Sequence, residues 1–245
     1  MWRPFRKAAE VDRSRLPSGS RVYAIGDVHG RADLLHETFA KIDRHRADHP
    51  IANALEIFLG DYIDRGPSSF DVIELLSTRI RGGAICLKGN HEAFLLKFLE
   101  DPRILNEWQH CGGLETLVSY GLKPSLNLSL EDQERLAASL ADRLPEHHRD
   151  FLTALPLSFE LGDYFFVHAG VRPGIALSNQ RAEDLLWIRE DFLRYEGSFG
   201  KIVVHGHTPV SEPEIRNNRI NIDTAAFATG NLTCAVIEDD QIQFL

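Results

Sequence analysis

Five short segments set acids, amides and imidazoles among glycines: Gly26-Asp27-Val28-His29-Gly30, Gly60-Asp61-Tyr62-Ile63-Asp64-Arg65-Gly66, Gly89-Asn90-His91-Glu92, His168-Ala169-Gly170 and His205-Gly206-His207-Thr208. A carboxylate with an imidazole two residues on suits a borderline cation such as Mn²⁺, Fe²⁺ or Zn²⁺ better than Ca²⁺. Asp61 adds a carboxylate able to bridge two ions, and Asn90 an amide oxygen that limits the negative charge. His168 and His207 add two further imidazoles. One such buried group is commonly a hydrogen-bonded core residue. Six together call for cations, because each buried charge needs a partner. The segments therefore read as a centre for two divalent ions, Mn²⁺ first, with Fe or Zn²⁺ tolerated by the same donors. The flanking glycines let the backbone pack closely around the ions and take unusual dihedral angles.

The elements that position these residues are short apolar runs at 21–25, 55–59, 84–87, 164–167 and 201–204, each β-branched or aromatic. Each stops at or just before a polar segment, as buried strands do. Helical patterns at 31–44 and 69–79 separate the first three runs. That alternation predicts a largely parallel sheet with helices packed on it, with ligands at the carboxyl ends of the strands. In extended geometry Asp27 and His29 project to the same side, while Asp61 and Asn90 end the second and third strands. Helices are expected at 93–99, after Ser129-Leu130-Glu131-Asp132, which resembles a capping sequence, and at 146–155. Residues 93–160 thus read as a helical insertion on the same domain. Strand-like pieces at 219–222, 232–238 and 241–245 predict a closing antiparallel sheet. The fold class is α/β (α+β mixed), in a single catalytic domain at 21–245. A basic N-terminal extension at 1–20 carries Arg3, Arg6, Lys7, Arg13 and Arg15.

A chain of 245 residues can bury a sizeable single core. Its net charge of −9 excludes a general nucleic-acid binder. Phosphate chemistry stays open, because two bound cations would invert the local field. No apolar run approaches the ~18 residues of a membrane span. No signal-peptide core follows the N-terminal arginines, so a cytoplasmic protein without a membrane partner is expected. Cys86, Cys111 and Cys234 are widely spaced and read as reduced thiols, Cys86 as a small core residue.

In combination, from Gly26 to about Thr224, these motifs resemble the phosphoprotein phosphatase family of metallophosphoesterases, notably its compact bacterial serine/threonine branch. The resemblance implies a β-sandwich of two mixed sheets flanked by helices. It implies that Asp27, His29 and Asp61 hold one metal, and that Asp61, Asn90, His168 and His207 hold the other. It further implies in-line attack on phosphorus by a hydroxide bridging the ions, with His91 as general acid and Asp64 orienting it. Arg65 and Asn90 would bind the substrate phosphate, with Arg189, in Trp187-Ile188-Arg189-Glu190, as a second phosphate arginine. By the same resemblance His205 takes a supporting or core position. Arg172 is expected at the rim, and His110, His147 and His148 at the surface of the insertion.

Wider metallophosphoesterases end in G-H-x-H, whereas Gly206-His207-Thr208-Pro209 has proline in the last place. Diadenosine tetraphosphate hydrolases are similar but typically lack the acid found here as Asp64. The expected substrate is therefore a phosphoprotein or phosphopeptide, phosphorylated at Ser/Thr with phospho-Tyr also open. Dinucleoside polyphosphate hydrolysis is the alternative enzyme reading, and a metal-stabilised binding module the non-enzymatic one. Asp223-Thr224-Ala225 departs from the Gly that bacterial relatives often carry after Asp-Thr, which bears on local loop geometry.

Overall fold

Buried strands covered on both faces explain why the apolar runs are continuous rather than alternating. The computed structural model describes residues 15–245; Arg3, Arg6, Lys7 and Arg13 of the expected basic extension lie outside them. In the first sheet β1 (Ser20–Ile25) pairs in parallel with β2 (Asn53–Phe58), and β2 with β3 (Ile85–Cys86). In the second, β4 (Ser158–Leu161) pairs antiparallel with β5 (Tyr164–Val167), and β5 in parallel with β6 (Ile202–His205). A short antiparallel pair, β7 (Glu214–Ile215) with β8 (Arg219–Asn221), completes it, β8 lying parallel to β6. The hairpin β9 (Cys234–Glu238) and β10 (Gln241–Phe244) returns to the first sheet, β9 antiparallel to β1. The strand orders are 10-9-1-2-3 and 4-5-6-8-7. The fold is thus two mixed sheets flanked by helices.

These are the two mixed sheets that the resemblance implies, and the alternation read at the start of the chain is present as the parallel β1, β2 and β3. One expectation needs correction, because the closing pieces do not form a sheet of their own: β8 extends the second sheet in parallel, and the β9–β10 hairpin takes the open edge of β1. A run buried on both faces gives no sign of which neighbouring layer it meets.

Side-chain alternation shows the layers directly. Val22 and Ala24 of β1 point between the sheets, where they join Tyr164, Phe166 and Val204. Tyr23 and Ile25 point the other way, into helices α1 (Ala32–Asp48) and α2 (Ser69–Arg81). The same outer core takes in α3 (Asn90–Glu100), α4 (Leu105–Trp108), α5 (Gly113–Ser119), α6 (Leu130–Arg143) and α7 (Glu146–Ala154). Phe165 and Val167 of β5 face α8 (Ala182–Trp187) and α9 (Glu190–Leu193) on the far side. Among the described residues no helix is long and apolar enough to cross a membrane.

One helix boundary decides where chemistry sits. α3 begins at Asn90, not at 93, so Asn90 and His91 occupy its first turn and do not end a strand. Glu92, at the third helical position, reaches back to accept the Gly89 N–H at 2.9 Å, the side-chain half of a capping box. Ser129 caps α6 as its sequence suggests, accepting the Asp132 N–H at 3.2 Å.

Candidate metal centre

The loops that follow the strands are tied to one another through the backbone. Val28 and His29 both donate N–H to the Asp61 carbonyl, at 3.0 and 2.8 Å, and Gly30 donates to Tyr62 at 2.8 Å. Glu92 gathers four N–H groups, those of Asp61, Tyr62, Ile63 and Gly89, at 2.8 to 3.4 Å. Burial and the nearby Asp61 push this carboxyl up to about 7, against the pull of those donors. The chain bends hard to achieve this. Among the described residues, eight non-glycine positions have positive φ, and five of them are His29, Asp61, Asp64, Arg65 and His207. Residues forced into this sparsely populated region cluster at functional sites. The bend at His29, with φ of +46°, also overturns the expectation that Asp27 and His29 share a face by strand alternation. Gly206 is required by closeness alone, since a Cβ there would lie 2.1 Å from Asp27 Oδ1.

Asp61 lies at the centre. Its Oδ2 faces Nε2 of His29 at 3.5 Å and of His91 at 3.6 Å, and its Oδ1 faces His168 Nε2 at 3.3 Å. Two sets of donor atoms lie within 4.8 Å of one another: His29, Asp61 and His91, and Asp61, His168 and His207. Asn90 Oδ1 sits 2.8 Å from His168 Nε2. Asp27 lies beside these sets, its carboxylate accepting the His207 N–H at 3.1 Å. All of these side chains are buried.

The donor chemistry fits cations. His29 Nδ1 is 2.8 Å from the Ile63 carbonyl and His168 Nδ1 is 3.0 Å from that of Leu59. A carbonyl only accepts, so each Nδ1 carries the hydrogen, the usual outer support of a metal-binding histidine. Burial pulls His29 down to about 3, His207 down to about 2 and His168 below its ordinary value, so the rings are neutral. Their Nε2 lone pairs in His29 and His168 then face the oxygens of one carboxylate. That opposition of acceptors calls for a cation between them. Carboxylates crowd here too. Burial, Asp223 and Asp61 push Asp27 well up, and burial pushes Asp223 up to about 6.

Beside these donor sets stands a buried histidine–carboxylate pair. His91 Nδ1 donates to Asp64 Oδ2 at 2.5 Å. Burial pulls His91 down, but Asp61 and Asp64 together hold it above its ordinary value. Asp64 is fully enclosed, receiving Trp108 Nε1–H at 2.6 Å and the Thr116 hydroxyl at 2.5 Å. Arg65 brings Nη2 within 3.5 Å of His91 Nε2, and its guanidinium lies 4.7 Å above the Phe227 ring. Arg189 Nε donates to His207 Nε2 at 3.1 Å.

The fold thus gathers Asp27, His29, Asp61, Asn90, His168 and His207 with His91, Asp64, Arg65 and Arg189. His205 is buried against Phe192 and Arg219 and stands outside both donor sets. Arg172 pairs with Asp184 and Asp191. One histidine expectation fails: His148 is fully buried, because Phe70 and Tyr120 enclose its ring. Sequence reasoning gave no role to Glu92, Trp108, Thr116, Asp223 or Phe227. Only Glu92 had a visible signal, its place three residues after Gly89 at a helix start.

Comparison with known proteins agrees with this geometry. The pattern of the calcineurin-like phosphoesterase family matches residues 20–230. The bis(5′-nucleosyl)-tetraphosphatase PrpE (asymmetrical) of Halalkalibacterium halodurans is 32% identical over 235 residues, spanning 85% of this chain and 87% of that protein. A solved structure described as a candidate diadenosine tetraphosphatase superposes with a TM-score of 0.61 at 20% identity, covering 93% of each chain. The cold-active protein-tyrosine phosphatase of a Shewanella species gives a TM-score of 0.55 at 15% identity, over 94% of this chain and 83% of that one. At such identities the two structures speak for the fold. The chain belongs to the calcineurin-like phosphoesterase family.

Proposed function

We propose that this hydrolase cleaves dinucleoside tetraphosphates asymmetrically, with two divalent ions, Mn²⁺ first, held by Asp27, His29, Asp61, Asn90, His168 and His207. The observation that carries the reading is the likeness, over 85% of the chain, to an asymmetrical bis(5′-nucleosyl)-tetraphosphatase. It replaces the inference drawn from Asp64. That carboxylate is enclosed behind His91 and does not reach a substrate, so it reports on how the proton donor is held and not on what leaves. Aromatic surfaces flank the donors on two sides and support a ligand with ring systems. Phe227 packs edge-on to His29 at 5.5 Å, and exposed Trp187 edge-on to His207 at 6.1 Å.

Ions held by these residues would supply neutralisation of phosphoryl charge and activation of water. Arg65 and Arg189 offer forked donors to the phosphoryl oxygens. His91, with Nδ1 committed to Asp64, presents Nε2–H to the bridging oxygen as the P–O bond breaks. The proton passes to the departing phosphate, and water supplies the new P–O bond and the hydroxyl.

A second reading, phosphoprotein dephosphorylation, rests on the Gly60–Gly66 and Gly89–Glu92 motifs, whose arginine and histidine act equally on a monoester. Diadenosine tetraphosphate and a phosphoserine peptide, assayed side by side with Mn²⁺, separate the two. A kcat/KM for the dinucleotide well above that for the peptide is expected. The reverse order overturns the proposal.

A further inference from the structure

A second cluster of metal-type donors lies in the helical layer and shares no residue with the paired-ion centre. Glu74 of α2 meets the adjacent His147 and His148 of α7. His147 Nε2 is 2.8 Å and His148 Nε2 2.9 Å from the same oxygen, Glu74 Oε2. The three donor atoms all lie within 4.8 Å of one another. Zinc bonds of ~2.0–2.1 Å place tetrahedral donors ~3.3 Å apart, so a small outward shift of Glu74 makes room for an ion. Glu74 and His147 are half exposed, at 49% and 50%, while His148 is fully enclosed. One ligand is thereby fixed from inside, and the open side admits water.

His148 carries the support expected of a ligand. Its Nδ1 lies 2.9 Å from the Tyr120 hydroxyl, and the Phe70 ring packs 4.8 Å away. Nε2 donates to Glu74 in the absence of an ion; with Nδ1–H turned to the tyrosine oxygen instead, the Nε2 lone pair is free for one. Burial lowers the His148 pKa, so the ring is neutral, which is the form that binds metal. Two imidazoles and one carboxylate select zinc-like ions over Ca²⁺ or Mg²⁺.

We infer that Glu74, His147 and His148 form a separate mononuclear Zn²⁺ site that ties α7 to α2, with water completing the coordination. The test is zinc stoichiometry on the full chain, equilibrated with Zn²⁺ and freed of excess. The unsubstituted protein should hold one more ion than His147→Ala and than Glu74→Gln, both at half-exposed positions outside the hydrolytic machinery. In a chain carrying Asp61→Asn, which loses the paired ions, one ion should remain and His147→Ala should remove it. Zn²⁺ should also shield His147 from diethyl pyrocarbonate, read by mass spectrometry. Equal stoichiometry in the unsubstituted and His147→Ala chains overturns the inference, as does undiminished His147 modification in saturating Zn²⁺.

Discussion

The loops after the strands and the helices that follow α3 build one histidine–carboxylate pair, His91 with Asp64, by opposite means. The loops work through backbone: interlocked N–H and carbonyl groups and left-handed dihedrals at His29, Asp61, Asp64, Arg65 and His207. The helices work through side chains: Trp108 from α4 and Thr116 from α5 close on the two oxygens of Asp64. Backbone-imposed placement demands glycines at fixed spacing and so marks the sequence. A side chain that buttresses from another element needs only a donor of the right reach, and many sequences supply one.

The sharpest challenge to the loop half is Asp61→Asn. A neutral amide cannot hold the carboxylate's place between His29, His91 and His168. Metal content and turnover should fall together to background, measured by elemental analysis and by phosphoester hydrolysis. Retained turnover in a metal-free variant would remove Asp61 from the centre of the account.

His91→Asn tests where the two halves meet. Loss of a general acid costs about 10²–10⁴-fold in turnover where the leaving oxygen needs a proton. A serine alkoxide needs one far more than a polyphosphate does, so the loss on a phosphopeptide should exceed that on diadenosine tetraphosphate. Metal content should be unchanged. Equal losses on both substrates would argue against His91 as the acid.

The helical half is probed by Trp108→Phe, which deletes one donor to Asp64 and keeps most of the packing. A hydrogen bond to a charged group contributes about 1.5–3 kcal/mol. With Thr116 and His91 still in place, kcat should fall by about tenfold at unchanged metal content. An unaltered kcat would show that the insertion merely covers the site.

This contrast also accounts for what was legible. That Asp61, His91, Asp64 and the strand-following histidines come together was legible because sharp, crowded bends require glycines beside them. The two-sheet layering was not readable from the runs themselves, since Tyr164 and Phe165 are equally apolar yet face different cores. His148 was misplaced because nothing in His147-His148 shows that Phe70 and Tyr120, dozens of residues earlier, will cover one ring and leave the other open. Trp108 looked like an ordinary core aromatic; its indole N–H matters only because α4 aims it at Asp64.

Acid should bear on the helical half as well as on the loops. Burial lowers the His148 pKa, against Glu74, which raises it, while His147 adds to the lowering. Glu74 is lowered by its bonds to His147 and His148. Tyr120 and Phe70 complete the surroundings. Both shifts mean that the folded state binds fewer protons, so stability falls as pH drops, first below the ordinary histidine value near 6.5 and then through the range of Glu74. His148→Phe should flatten this slope between about pH 7 and 5 in denaturant titrations. A slope identical to the unsubstituted chain's would place the acid sensitivity elsewhere.

The smallest expected effect separates strain that serves chemistry from strain that does not. Ala225 has φ of +52°, in the loop whose N–H bonds to Asp223 Oδ1 at 2.9 Å. An alanine in this region is disfavoured by ~1–2 kcal/mol, and a glycine is not. The five site residues with positive φ bear the same burden, but on the proposed function they carry a metal ligand, the carboxylate that holds His91 or a phosphate donor, so glycine there would remove function. Ala225 carries no such group. Ala225→Gly should therefore stabilise the fold by ~0.5–1 kcal/mol after the greater freedom of glycine in the unfolded chain is deducted. That corresponds to a Tm rise of about 2 °C for a chain of this size, at unchanged kcat. A lower Tm would mean that the Ala225 methyl packs usefully, and that the left-handed bend is held by more than the Asp223 hydrogen bond.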